Sequence, residues 1–245
     1  IIVDQTTASV TLADDGSANA ISLRTVGNTL QVVRDGNVVS AYALAGVTDL
    51  SITGVTGQND TLTVDLSTYS ALENLGTITF NAGADTADKL SVTGVTGGSD
   101  YTLTFDNTDA DKGTLSIDSA LVINFDGIGN NTINLSGVDD LTINFGDGAD
   151  NIVFTSVDAT TSQVAGTGFA TTTFTNPASS LTVNLGSNGD AVTFTDLADN
   201  FSPTSGVTIN GGAGKDSITI TDLGDPFGNG TTDRQSTRLN SSHIP

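Results

Sequence analysis

The sequence predicts an all-β repeat fold, and three observations predict it. Short runs alternate β-branched or aromatic residues with Thr and Ser, as in Thr61-Leu62-Thr63-Val64, Thr77-Ile78-Thr79-Phe80 and Ser217-Ile218-Thr219-Ile220; a period of two is the mark of a half-buried strand. Asn, Asp and Gly break these runs about every 10 residues, the spacing of an all-β chain. The sequence also repeats itself at a fixed distance. Ser51-Ile52-Thr53-Gly54-Val55-Thr56-Gly57 recurs as Ser91-Val92-Thr93-Gly94-Val95-Thr96-Gly97, and Leu141-Thr142-Ile143-Asn144-Phe145-Gly146 recurs as Leu181-Thr182-Val183-Asn184-Leu185-Gly186, both 40 residues on. Asp60 and Asp100 follow the first pair, and Asp150 and Asp190 the second, at matched distances. Fixed periods of this size imply stacked units that bury their apolar faces only against each other. The expected architecture is a repeat β-solenoid, parallel β-helix-like, with coils of about 20 residues and antiparallel hairpins at the N-terminus.

Residues 1–46 read as those hairpins, capping or leading into the stack. Val26-Gly27-Asn28 and Arg34-Asp35-Gly36-Asn37 are turn signals, and Asp-Gly is a strong one for a hairpin. Residues 47–224 read as the repeat region. Its tripeptides Ile123-Asn124-Phe125, Ile143-Asn144-Phe145, Val183-Asn184-Leu185 and Ile209-Asn210-Gly211 place Asn at intervals of 20, 40 and 26. Such positions allow a stacked amide ladder; Asn as a simple turn marker is the alternative. The 26-residue interval is expected to hold an outward insertion around 198–205. Ser70–Leu75 is the best candidate for a single helical turn. Residues 225–245 read as a disordered tail. Within it, Asp233 to His243 resembles a translated DNA-sequencing adapter, in which Lys is usual at the position of Gln235, so 233–245 is expected to be non-biological. The chain has no methionine and starts at Ile1, so it is expected to be part of a larger polypeptide.

The 245 residues carry a formal net charge of −21, with a single glutamate, Glu73, among 28 acidic side chains. Asp bonds its own backbone and tolerates left-handed turns, whereas Glu favours helices, so the acids belong to turns. This charge disfavours nucleic acid and anionic membrane surfaces and suits divalent cations or solubility. Without cysteine there is no disulfide, zinc thiolate or thiol nucleophile. No run approaches the roughly 18 apolar residues of a membrane span, so membrane insertion is not expected.

Catalysis finds few residues. His243, the single histidine, lies in the tail, so no Ser–His pair or His metal cluster is available. Paired aspartates can run glycoside hydrolysis, but Asp14-Asp15 and Asp139-Asp140 read as solvated turns, and adjacent strand residues point to opposite faces. Tyr42, Tyr69 and Tyr101 are scattered and Trp is absent, which leaves no aromatic platform for a sugar. A cleft that gathered two or more aspartates with Lys89 or Lys112 would favour a polysaccharide-acting enzyme.

The sharpest motif is Gly211-Gly212-Ala213-Gly214-Lys215-Asp216-Ser217-Ile218-Thr219, which fits the nonapeptide G-G-x-G-x-D-x-U-x at every specified position. Its glycines permit a tight turn, and Asp216 supplies oxygen to a cation that wants six to eight such ligands. The candidate calcium residues are Gly211, Gly212, Gly214 and Asp216, with Asp147, Asp150 and Asp190 from the degenerate turns Gly146–Ile152 and Gly186–Val192. Stacked carboxylates repel unless offset or neutralised. The same turns without an ion are the competing reading. The nonapeptide resembles that of the calcium-binding RTX family, in which successive turns share ions; here the turns are widely spaced and degenerate.

The pattern Leu30-x-Val32, Asp35-Gly36-Asn37, Leu50-x-Ile52-x-Gly54, Asp60-x-Leu62-x-Val64-Asp65 resembles the β-strand repeats of large bacterial surface and secreted proteins. That resemblance spans most of residues 20–224. It implies an extracellular or cell-surface bacterial protein, non-enzymatic, acting as scaffold, stalk or adhesin, with carbohydrate or cell-surface proteins as partners. The alternatives are an RTX-like calcium-binding module that folds on secretion and a polysaccharide-acting β-helix enzyme.

Overall fold

The alternation of apolar and hydroxylated residues sorts side chains to two faces. In β5 (Asp49–Thr53) Leu50 and Ile52 are buried while Asp49, Ser51 and Thr53 stay half-exposed. The same in-out pattern recurs in β6 (Thr61–Asp65) and β17 (Ser180–Asn184). The computed structural model describes residues 7–12, 16–67, 75–83, 87–95, 97–106, 108–109, 111–128, 132–197, 201–221 and 238–239. Among these residues the fold is all-β, in two large, mostly parallel sheets.

The first sheet runs in spatial order β1 (Thr7–Thr11), β5, β7 (Thr77–Asn81), β11 (Leu121–Asp126), β10 (Gly113–Ile117), β9 (Ser99–Phe105), β13 (Val138–Asn144), β17, β19 (Gly206–Asn210) and β21 (Arg238–Leu239). The second runs β20 (Ser217–Ile220), β18 (Ala191–Phe194), β14 (Asn151–Ser156), β15 (Thr161–Gly166), β16 (Thr171–Thr175), β12 (Thr132–Leu135), β8 (Lys89–Thr93), β6, β2 (Ala20–Val26), β3 (Thr29–Arg34) and β4 (Asn37–Ala43). The chain crosses from one sheet to the other and back, so each circuit lays a strand in both. Neighbouring circuits pair in parallel: β5 with β7, β6 with β8, β13 with β17, β14 with β18. One apolar cluster from Ala8 to Ile209 fills the interior. Phe154 and Phe194, partners in adjacent strands, stack with centroids 4.7 Å apart.

Three antiparallel triplets interrupt the circuits: β2–β3–β4, β9–β10–β11 and β14–β15–β16. The second adds two strands to the first sheet and the third adds two to the second sheet. Between β7 and β13 the first sheet holds β11, β10 and β9; between β8 and β14 the second holds β12, β16 and β15. The two insertions offset each other, and the circuits resume in step. The N-terminal triplet has no such counterpart, so β3 and β4 overhang β1. Leu30 and Val32 of the overhang are fully buried, and the Tyr42 hydroxyl donates to the Ser9 carbonyl at 3.2 Å. Its turns use residues at positive φ, Gly27 at 58° and Asp35-Gly36 at 49° and 81°, the primed geometry of hairpins.

Several expectations change. The antiparallel pairing falls on residues 20–43, but β1 and β2 themselves pair in parallel with β5 and β6. Asn124 and Asn144, 20 residues apart, are not neighbours, because β10 and β9 lie between their strands. The 26-residue step from Asn184 to Asn210 joins neighbouring strands, β17 and β19, and residues 198–200 of the expected insertion lie outside the described residues; the 40-residue step from Asn144 to Asn184 carries extra strands, β15 and β16. The two copies of the Gly-Val-Thr-Gly heptapeptide do not stack: Ile52 pairs with Phe80 in the first sheet and Val92 with Val64 in the second. What they share is an arc leaving a strand. Residues 70–74 of the candidate helical turn, and 222–237 and 240–245 of the C-terminal tail, lie outside the described residues, while Arg238–Leu239 pairs with β19.

Candidate functional site

The acidic turns form a column in two runs, one of Asn19, Asp60 and Asp88 and one of Asp150, Asp190 and Asp216, at the corner where the chain enters the second sheet; β12, β16 and β15 lie between the runs. Asn19, Asp60, Asp88, Asp150, Asp190 and Asp216 each stand one residue before a strand of that sheet. Parallel stacking brings equivalent corners together, and the carboxylate of one circuit accepts the backbone N–H of its neighbour. Asp60 Oδ1 accepts from Asn19 N at 3.2 Å, Asp88 Oδ1 from Asp60 N at 2.6 Å, Asp190 Oδ1 from Asp150 N at 2.8 Å, and Asp216 Oδ1 from Asp190 N at 3.1 Å. Asp60 Oδ2 also accepts from Val55 N at 2.7 Å and so closes its own turn. These charge-assisted bonds give the aspartates a structural task that needs no ion.

Asp150, Asp190 and Asp216 of the expected calcium set therefore share one column. Asp147 lies apart, exposed on its turn, where its carbonyl accepts from the Asn188 amide. The glycines serve close approach between turns. A Cβ on Gly212, at φ +70°, would fall 1.7 Å from the Gly186 carbonyl oxygen; one on Gly214 would fall 1.7 Å from that of Asn188; one on Gly211 would meet the Asp216 carboxylate at 2.6 Å. An asparagine ladder runs beside the column in the first sheet. Asn210 Nδ2 donates to Asn184 Oδ1 and Asn184 Nδ2 to Asn144 Oδ1, both at 2.6 Å, and Asn144 Nδ2 ends it on Thr104 Oγ1 at 2.8 Å.

Asp190 is one of the buried members of the column. It is 2% exposed, and its Oδ2 has no hydrogen-bond partner. Burial, followed by the charges of Asp150 and Asp216, pushes its carboxyl above the usual range. A raised folded-state value means the folded form holds the proton more tightly. The stability this group contributes is complete below the unfolded value of about 3.9 and is lost as pH rises through the folded value. Asn19 shows what an amide does in the column: its Nδ2 donates to Asp60 Oδ1 and to Gln58. Asp190→Asn is thus expected to raise the melting temperature at pH 7, with a gap over wild type that shrinks toward pH 3.5. A gap of constant size from pH 3.5 to 7 would show that charge at Asp190 is not the cause.

Among the described residues, the one set of three carboxylates with oxygens within 4.8 Å of each other is Asp100, Asp139 and Asp140. Asp139-Asp140 is not the solvated turn expected from sequence. Val138 pairs with Ser99 and Leu141 with Tyr101, so two residues of β13 oppose one of β9. This bulge brings both carboxylates to Asp100 and defeats the opposite-faces rule. Burial, then Asp140, raises the Asp100 carboxyl. Asp140 is held by the Ser180 hydroxyl. Asp14-Asp15 lies outside the described residues.

A cavity of about 350 Å³ opens beside the column. Its origin is topological. The 145–150 turn is followed on one side by the 185–190 turn, and a Cβ on Gly186 would fall 2.1 Å from the Gly146 carbonyl oxygen. On its other side lie β9 and β15, whose chains fold back as hairpins instead of crossing between sheets. The gap is walled by Phe105, Phe145 and Phe169, with ring centroids 4.8 to 5.7 Å apart, and rimmed by Asp106, Asp109 and Asp150. A shallower groove past Phe105 continues to Lys112 and Asp126. Lys112 pairs with Asp109 at 2.8 Å and with Asp126 at 3.6 Å. Thr108, through its N–H and hydroxyl, holds Asp106 Oδ1 at 2.7 Å. The carboxyls of Asp106 and Asp109 are lowered, chiefly by the Thr108 hydroxyl and by Lys112; burial alone raises that of Asp150.

No protein-family model, curated protein or solved structure matches the chain. The sequence reading missed the phenylalanine-walled cavity and the bulged aspartate trio. A usable signal for the column was the Asn or Asp standing directly before Ala20, Thr61, Lys89, Asn151, Ala191 and Ser217.

Proposed function

We propose that this chain is a β-solenoid segment of a larger extracellular bacterial protein and serves as a rigid surface scaffold, stalk or adhesin. The observation that carries the reading is the stack itself, which resumes in parallel past each antiparallel triplet. Both sheets run from one end of the described chain to the other over one core, with polar ladders in register along the corners. Ten strands at about 4.8 Å make a rod on the order of 45 Å long. Asp60, Asp88, Asp190 and Asp216 accept backbone hydrogen bonds from the neighbouring circuit, which supports a scaffold whose turns hold without a metal. Carbohydrate or cell-surface proteins remain the partner classes, and the negative charge disfavours nucleic acid. An antibody to the chain is expected to label intact, non-permeabilised cells that produce the protein. Labelling that appears only after permeabilisation would contradict the surface assignment.

Two observations favour other readings. The unpartnered buried Oδ2 of Asp190 favours an RTX-like calcium module. The groove that gathers Asp106, Asp126 and Lys112 favours a polysaccharide-acting enzyme. Against the enzyme, Lys112 is tied to two aspartates, and Asp106 and Asp109 sit on the exposed rim with lowered carboxyls, which disfavours them as general acids.

A further inference from the structure

We infer that β4 is a self-association edge, where a second copy of this chain adds its own β4 in antiparallel and joins the two eleven-stranded sheets edge to edge. Three observations carry this. The first is the state of the strand. Among the described residues β4 pairs with β3 on one side and with no strand on the other. The hydrogen bond from Leu44 N to the Asn28 carbonyl sets the alternation of that ladder. Tyr42 therefore bonds toward β3, while the N–H and C=O of Ala41 and Ala43 point outward. Because β3 and β4 overhang β1, the first sheet does not cover this row. Edge strands are commonly guarded by charge, proline or brevity. The other edge of this sheet, β20, is four residues long and follows Lys215-Asp216. β4 is seven residues long, has no charge and no proline, and exposes Val38 and Val39 by 46% and 43%. Its bulge falls at Val39 and leaves Ser40–Ala43 in regular register.

The second observation is self-complementarity. A two-fold contact sets the same residues on both sides. With Ala41 opposite Ala41 of the second copy, the two alanines exchange both outward hydrogen bonds. Val39 then comes opposite Ala43, and Ser40 opposite Tyr42. These cross-strand pairs join apolar to apolar and hydroxyl to hydroxyl, and no like charges meet. The third is charge. Residues 16–48 hold Arg24, Arg34 and Asp35 as their only charged side chains, two positive against one negative, in a chain of net charge −21. The acid excess lies outside the overhang, so this end brings two copies together against the least repulsion.

The inference is independent of the surface assignment. An edge-to-edge contact is smaller than the standard interface of about 1,600 Å², so a dissociation constant in the micromolar to millimolar range is expected. Sedimentation of the full chain across that range, in low salt and in about 0.5 M sodium chloride, reads the association. A monomer–dimer equilibrium is expected, with more dimer in high salt because the charge of both copies is screened. The Ala41 and Ala43 amides are expected to gain hydrogen-exchange protection in the dimer. Ala41→Pro deletes an outward N–H at a place where an edge strand tolerates proline, and Val39→Lys adds a guarding charge. Each is expected to weaken the dimer by about tenfold or more, while its circular-dichroism melt stays within a few degrees of wild type. Ile220→Lys, at the exposed β20 edge, is expected to leave association unchanged. A chain that stays monomeric at millimolar concentration in high salt, a dimer that survives both β4 variants, loss of the dimer in Ile220→Lys, or growth past the dimer into longer assemblies would each overturn the assignment. Ala41 and Ala43 amides that exchange as fast in the wild-type dimer as in the monomer would do so without any variant.

Discussion

Ile143→Asp is expected to abolish cooperative folding, and Val183→Asp to do the same. Both side chains are fully buried, and they pair with each other across β13 and β17, with Leu103 of β9 on the far side of Ile143. The change removes an apolar group whose burial is worth about 2–3 kcal/mol. It also leaves an unpaired carboxylate inside, which costs several kcal/mol more. Total stabilities of about 5–15 kcal/mol leave little margin for that sum. Far-UV circular dichroism on heating reads the result. A variant that melts within a few degrees of wild type would place residue 143 or 183 on an outer face and break the register given for the first sheet.

Gly186→Ala is the second large effect, expected to cost about 2–4 kcal/mol. Gly186 has φ +82°, and a Cβ there would fall 2.1 Å from the Gly146 carbonyl oxygen and 2.8 Å from its carbon. Those atoms are backbone, so relief requires the turns to part, with the corner bond from Asp150 N to Asp190 at stake. Gly27→Ala isolates the conformational part. It also has positive φ, at 58°, but nothing lies within 4 Å of its Cβ position, so roughly 1 kcal/mol of left-handed strain is expected. Urea midpoints of the two variants give the comparison. Equal losses would show that contact between turns does not restrict position 186.

The parts of the fold that were legible in sequence are those where chain distance equals a circuit. Leu141–Asn144 and Leu181–Asn184 pair residue on residue, so the inward positions of Ile143 and Val183 were readable from matched spacing; for the asparagines the sequence left stacking and turn marking open, and the ladder runs through Asn144, Asn184 and Asn210 without Asn124. The antiparallel triplets were not. Nothing local distinguishes β10 or β15 from a circuit strand, because each has the same alternation; only the order of strands in the sheets separates Asn124 from Asn144. The heptapeptide repeat misled for the same reason, since an arc out of either sheet asks for the same Gly-Val exit. At the site, the Gly-Asp turns were readable as stacked corners, and Asp150, Asp190 and Asp216 do align. Their neighbours were hidden: the Asp100–Asp139–Asp140 trio depends on a bulge, and the phenylalanine-walled cavity on two hairpins that replace crossings.

The bond that joins circuits at each acidic corner runs from a backbone N–H to a carboxylate oxygen. If those bonds hold the stack, the chain needs no calcium to fold. Thermal melts followed by circular dichroism, in EDTA and in millimolar calcium chloride, test this directly. The expected result is the same β-rich spectrum and superimposable transitions in both. A β-rich fold that forms, or gains many degrees, only with calcium would show that the corner aspartates are metal ligands and not hydrogen-bond acceptors for the neighbouring circuit.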